Sequence, residues 1–268
     1  MSDINLGLAG WGFRQMSLRE YFDTASRLGL PLVELNCRPD VPAHLWVDYD
    51  QQDVTEVLDC VADEGIKIVA LSAQNDFTQS EPGVLNSQVA QLRRIIELAD
   101  ALGAQYVRVV LGQDAQAGPA ILETAVRKLQ EAAQFADSFQ VRLAIENGLG
   151  PLRSSQNCLK IMQQLRSDPI GLVYNPANFA RDGDDPLKAL ELLGERIYYS
   201  HLADWDGQRI CAVGQGSIDW EGLVSLLGQC PAELALIEYP HPEDIELGTA
   251  ASQKKLTSLL RKIGGKSS

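Results

Sequence analysis

Apolar residues along the chain fall into two alternating patterns. Short continuous runs rich in Val, Ile and Leu occur at INLGLAG (4–10), LVELN (32–36), IKIVALS (66–72) and YVRVVLG (106–112). Four more follow at VRLAIEN (141–147), IGLVYN (170–175), IYYSHLAD (197–204) and LALIEY (234–239). Runs of this length and composition predict buried parallel strands. Between them the apolar residues recur at steps of three and four. Val54, Val57, Leu58 and Val61 form one such stripe, and Leu85, Val89, Leu92, Ile96 and Ala99 another. Leu122, Ala125, Val126, Leu129 and Ala133 form a third, and Leu256, Leu259, Leu260 and Ile263 close the series. These are helix faces turned to a core. Ser17 before LREYF and Asp219 before WEGLVSLL suit helix N-caps. Gly29, Gly65, Gly103 and Gly194 each follow a helical pattern, where a left-handed residue ends a helix.

Eight strand–helix units without a linker or low-complexity tract predict an α/β fold, a single (β/α)₈ TIM barrel domain over residues 1–268. A doubly wound open sheet would call for G-x-G-x-x-G after the first strand. The sequence there is G-L-A-G-W-G, with Trp11 where a pyrophosphate would need room.

Composition narrows the partners. A net charge of −13 disfavours phosphate backbones, so no nucleic acid partner is expected. No apolar stretch reaches the roughly 20 residues that span a bilayer. The N-terminus runs from MSDIN straight into an apolar segment without a basic leader, so the expected location is cytoplasmic. Cys37, Cys60, Cys158, Cys211 and Cys230 are odd in number and contain no CxxC, which fits reduced thiols and not a disulfide framework or structural zinc.

Polar side chains interrupt the last four strands at comparable places. Glu146 ends VRLAIE, Asn175 ends IGLVYN, His201 lies late in IYYSH, and Glu238 ends LALIE. In a barrel these strand ends converge at one mouth. Ala144, Val173, Tyr199 and Leu236, two positions earlier, share their faces and should form the layer beneath. Two carboxylates brought this close are costly without a cation. Oxygen-rich ligation with one imidazole suits Mn²⁺, Mg²⁺ or Co²⁺, with Zn²⁺ a further option. Glu146 and Glu238 could then act as acid and base on a hydroxy-carbonyl substrate.

LAIENG around Glu146, GLVYNPAN around Asn175, YYSHLAD around His201, GQGSIDW at 214–220 and ALIEY around Glu238 resemble the xylose isomerase-like TIM-barrel superfamily. That group holds sugar isomerases and epimerases, inosose dehydratases and hydroxypyruvate isomerases. The resemblance spans the chain. It implies metal ligation by Glu146, Asn175, His201 and Glu238, and an acid–base pair in Glu146 and Glu238. It also implies substrate contacts from Asn178 and Arg209, and it admits a homo-oligomer. Three departures stand out: Asn175 replaces the usual Asp, Asn178 replaces a substrate-contacting His, and NGLGPLRSS lacks the substrate-binding Glu of the sugar epimerases. An amide oxygen at Asn175 removes one negative charge from the ligand set.

Other residues near the mouth are Trp11 and Phe13, a wall for a sugar ring, and Glu34, read chiefly as structural. His44 and Trp46 lie in the following loop, with His44 counted among the substrate contacts. His241 is a weaker candidate. Asp204 reads as a loop anchor, and Gly214 and Gly216 as a tight turn.

The resulting expectation is a metal-dependent isomerase or epimerase acting on a small carbohydrate-like compound through an enediolate. Two alternatives use the same barrel: a lyase of the inosose or dehydroshikimate dehydratase type, and a degenerate ligand-binding barrel without catalysis. A DNA-repair endonuclease of the endonuclease IV branch is disfavoured by the charge and by only three histidines.

Overall fold

The computed structural model describes residues 4–37, 44–45, 48, 51–165 and 169–264. Each predicted run supplies a strand of one closed barrel: β1 (Asn5–Leu8), β2 (Leu32–Cys37), β3 (Lys67–Ala73), β4 (Tyr106–Val109), β5 (Arg142–Glu146), β6 (Ile170–Tyr174) and β7 (Ile197–Leu202). Two short strands, β8 (Asp204–Trp205) and β9 (Ile210–Cys211), precede the last barrel strand, β10 (Leu234–Ile237). The barrel order is β1-β10-β7-β6-β5-β4-β3-β2, parallel throughout, while β8 and β9 make a separate antiparallel pair. The apolar run IYYSHLAD predicts one strand through Asp204. Instead β7 stops at Leu202, and the chain turns into this small hairpin over the barrel mouth.

Helices fill the connections: α1 (Leu18–Leu28), α2 (Gln51–Glu64), α3 (Pro82–Ala101), α4 (Pro119–Asp137) and α5 (Ser155–Gln164), then α6 (Pro176–Arg181), α7 (Pro186–Leu193), α8 (Trp220–Leu227) and α9 (Ile245–Gly264). Ser17 caps α1 in a reciprocal box with Glu20, and Asp219 caps α8 through the Gly222 N–H, satisfying donors a helix start leaves open. Gly29 ends α1 at φ +65°, a conformation costly for any side chain. Gly194 departs from expectation: its φ is −51°, and the chain continues into a 3-10 turn. A Cβ there would meet Cys230 Sγ at 2.9 Å, so packing, not handedness, explains that glycine. Leu58 of the α2 stripe also departs, facing solvent.

The interior has two parts. A large core lies between barrel and helices, as layered α/β packing requires. A smaller one fills the barrel itself, where Ala144, Val173, Tyr199 and Leu236 pack with Ala9, Val69, Ala70 and Tyr106. The four residues expected beneath the polar mouth therefore form its floor. The register between β2 and β3 slips between Val33 and Glu34, leaving Val69 unpaired; such irregularities re-aim neighbouring side chains. All five cysteines are free. Among the described residues no helix is long and apolar enough to cross a membrane.

Candidate active site

The carboxyl ends of the strands carry the polar residues. Glu146 is the last residue of β5, His201 lies in β7, Glu238 directly follows β10, and Glu34, Ser72 and Arg108 come from β2, β3 and β4. Asn175 follows β6 and is the N-cap of α6. A cavity of about 360 Å³ opens above the floor and is lined by Glu34, Arg108, Glu146, His201 and Glu238, with Trp11, Asn178 and Arg181 among the rim residues. Ligand-competent atoms of Glu146, His201 and Glu238 all lie within 4.8 Å of one another.

Glu146 is the hub. Arg108 Nε donates to its Oε2 at 2.7 Å, and Arg108 Nη2 closes on the same oxygen. Its Oε1 receives Asn175 Nδ2 at 2.9 Å and lies 3.2 Å from His201 Nδ1. Asn175 Nδ2 also donates to Glu238 Oε2 at 2.8 Å, so one amide bridges both carboxylates. The Asn175 oxygen faces away, accepting the Asn178 N–H at 3.3 Å to cap α6. Backbone placement is equally tight: Asn147 Oδ1 accepts the Asn175 N–H at 2.8 Å, and Asn147 Nδ2 donates to the Asn175 carbonyl at 2.9 Å. On the far side of His201, Nε2 lies 3.1 Å from Glu34 Oε2, which also accepts the Tyr199 hydroxyl at 2.8 Å.

Burial would raise the pKa of the Glu146 carboxyl, but the Arg108 guanidinium and His201 outweigh it and hold it well below the usual carboxylate range. Glu238 moves the other way, raised by burial and then by the Glu146 charge beside it. Burial alone would lower His201, yet Glu34 and Glu146 together raise it well above an ordinary histidine. Two neighbouring carboxyls are thus pushed apart, a pattern that separates acid from base in proton-transfer sites.

Of the substrate contacts expected from sequence, Trp11 and Asn178 line the cavity. The Asn178 amide is already engaged, donating to the Asn147 carbonyl and accepting from Arg181 Nη1. Arg209 sits in the β8–β9 hairpin with its side chain 65% exposed, near Asp206 and off the cavity lining. His44 does not line the cavity either. It is buried against Tyr21 with ring centroids 4.3 Å apart, and its nitrogens meet the Asn36 N–H and the Phe13 carbonyl. Phe13 belongs to the core and not to a sugar-facing wall. His241 bonds the Ile210 carbonyl, and Trp46 lies outside the described residues. Asp204 anchors its loop as expected, and Gly214 and Gly216 turn about it.

Sequence reasoning misses Arg108 and Arg181. A signal for Arg108 is present: YVRVV is an apolar run broken by one cation, two residues from the inward-facing Tyr106. Glu34, expected to be chiefly structural, proves to be a direct partner of His201.

Whether these residues suit a divalent ion follows from their donors. Two carboxylates and an imidazole converge, and Glu34 orients that imidazole as a carboxylate commonly orients a metal-bound histidine. The set fits. Asn175 is the exception, presenting nitrogen to the centre while its oxygen serves the helix cap.

A family model described as xylose isomerase-like TIM barrel matches residues 22–260. No curated protein sequence matches. Solved structures superpose over nearly the whole chain. A zinc-bound IolI protein has a TM-score of 0.79 at 20% identity, covering 97% of this chain and 99% of its own. L-Ribulose 3-epimerase has a TM-score of 0.81 at 18% identity, covering 100% and 97%. The probable 3-DHS dehydratase AsbF from Bacillus anthracis has 0.79 at 14% identity, covering 95% and 99%. At these identities the likeness is one of fold.

Proposed function

The chain belongs to the xylose isomerase-like TIM barrel family, and from that premise we propose that it is an isomerase or epimerase of a small sugar-like hydroxy-carbonyl compound. The observation that carries this reading is the pair Glu146 and Glu238, both bonded to the single amide nitrogen of Asn175 above an apolar floor.

One carboxylate of the pair removes the proton from the carbon that carries a hydroxyl beside the carbonyl. The electron pair passes into the carbonyl oxygen, giving an enediolate. The other carboxyl returns a proton, to the opposite face of the same carbon in an epimerase or to the neighbouring carbon in an isomerase, where the hydroxyl proton also passes to the former carbonyl oxygen so that the carbonyl changes place. Arg108 and His201 set a positive field where negative charge develops. Glu146, His201 and Glu238 would hold a divalent metal, which when bound polarises the carbonyl oxygen. That the IolI structure carries zinc and that several similar folds are sugar 3-epimerases support this reading. Trp11 supplies an apolar rim for the substrate's carbon skeleton.

The test is incubation with ketoses, inososes and hydroxypyruvate in D₂O, with Mn²⁺, Co²⁺, Mg²⁺ or Zn²⁺, followed by NMR. Deuterium should enter at one carbon, and Glu146→Gln or Glu238→Gln should slow its entry about 10²- to 10⁴-fold. Loss of water in place of rearrangement would reassign the chain to the lyases. Tight binding of a sugar with no exchange, unchanged by either substitution, would make it a binding barrel.

A further inference from the structure

Glu146 is held by the protein's own donors on both oxygens. A carboxylate offers about four lone-pair sites; Arg108 Nε and Nη2 donate to Oε2 and Asn175 Nδ2 to Oε1, while His201 Nδ1 stands 3.2 Å from Oε1. A cation that takes Oε2 must displace Arg108 from it, and one that takes Oε1 must share it with Asn175.

Asn175 is not free to change ends. Turning its amide by half a revolution would set its NH₂ against the Asn178 N–H, two donors face to face. It would also aim its oxygen at two carboxylate oxygens. Losing those bonds in a buried site is costly, so the cap on α6 fixes which end faces the centre.

Arg108 is equally committed. Its side chain is 14% exposed, it rises from the inward face of β4, and its Nη1 donates to Ser72 Oγ at 3.2 Å. A guanidinium keeps its charge at any pH a protein survives.

Resting on the reading that Glu146, His201 and Glu238 are the metal ligands, we infer that Arg108 and Asn175 are a built-in counter-ion and clamp for this centre. Arg108 neutralises Glu146, and Asn175 ties Glu146 to Glu238. Together they hold the two carboxylates in the close arrangement that a divalent ion would otherwise have to enforce. A divalent ion therefore binds by prising Arg108 from Glu146. Affinity for the ion is set by Arg108 as much as by the ligands.

Calorimetric titration of the full-length protein with Mn²⁺, Co²⁺ and Zn²⁺ tests this, alongside thermal melts with and without each ion. Arg108→Gln should tighten binding about tenfold or more, and Arg108→Lys should fall between the two, because a lysine keeps the charge but not the two-pronged contact. Asn175→Asp should also tighten it about tenfold, by returning an anionic oxygen to the ligand set. The ion-free Arg108→Gln protein should melt below wild type, and the ion should raise its melting temperature more than it raises wild type's. Glu238→Gln added to Arg108→Gln should abolish the gain, locating the ion at this centre.

Binding by Arg108→Gln no tighter than wild type's would overturn the inference. So would a gain that survives Glu238→Gln. Should Arg108→Gln fail to fold, Arg108→Lys and Asn175→Asp decide it instead: tighter binding by both supports the inference, and unchanged binding overturns it. Proton exchange is a separate readout. A rising affinity series without exchange counts against the proposed activity alone, and exchange with a flat series counts against the inference alone.

Discussion

Glu34 and His201 meet inside the barrel, with a carboxylate oxygen 3.1 Å from Nε2 and Tyr199 closing on the same oxygen at 2.8 Å. Glu34 thus fixes the orientation of the imidazole from the side away from Glu146. Glu34→Gln keeps an oxygen for both partners but deletes the charge. The fold should survive, while exchange of substrate hydrogen falls about 10- to 100-fold, the usual cost of losing a partner that orients a functional histidine. NMR exchange rates, with circular dichroism as the control for folding, check this. An unchanged rate would return Glu34 to a purely structural role.

Most of the architecture is legible in the sequence because a parallel barrel repeats one signal eight times. Runs such as LVELN and LALIE have little choice but to be buried on both faces, and the strand ends bring Glu146, His201 and Glu238 together by topology alone. Partnership across strands is what the sequence does not reach. Arg108 and Glu146 are 38 residues apart, and only the parallel register of β4 on β5, with Arg108 beside Ala144, puts the guanidinium under the carboxylate. Asn175 stands out in the sequence, but the direction of its amide depends on a hydrogen bond to Asn178, which a residue count does not contain. His44 shows the opposite limit: a histidine near the mouth is as easily a buried stacking partner of Tyr21, where the structure places this one, as a substrate contact.

Trp11 is 37% exposed at the cavity rim, with the Arg14 guanidinium 4.4 Å from its ring centre. Trp11→Ala should raise KM for the preferred substrate several-fold and leave kcat within about threefold, because the ring contributes uniform binding and takes no part in proton transfer. Trp11→Phe should recover most of the loss. Steady-state kinetics on the substrate found by the exchange screen decide this, and a kcat effect equal to the KM effect would argue against a rim role.

Asp204 is fully buried and accepts five donors: the N–H groups of Trp205, Gly214, Gly216 and Ile218 at 2.8–3.2 Å, and the Trp220 indole at 2.7 Å. This one carboxylate ties the β8–β9 hairpin to the start of α8. Asp204→Ala strands those donors and should cost about 3–5 kcal/mol. Asp204→Asn keeps the shape but turns an NH₂ toward some of them, so its cost should be smaller. Urea denaturation of both variants gives the comparison. A loss below about 1 kcal/mol for Asp204→Ala would mean the hairpin is held by other contacts.

His44 should make stability depend on pH in a defined window. Burial lowers its pKa to about 4, and the Phe13 carbonyl and the Glu34 charge offset this only in part. The neutral ring uses Nδ1 as acceptor for the Asn36 N–H and Nε2 as donor to Phe13. The unfolded chain takes up the proton near pH 6.5 and the folded protein only near pH 4. Between those values the unfolded state binds more protons, so His44's contribution is intact above about pH 6.5 and drains away as pH falls toward 4, by about 3 kcal/mol in all. Carboxylates titrate in the same range, and a difference measurement removes them. His44→Gln should therefore cost about 2 kcal/mol less at pH 4.5 than at pH 7 when each is compared with wild type by urea denaturation. An equal cost at the two pH values would show that the ring is protonated inside the fold.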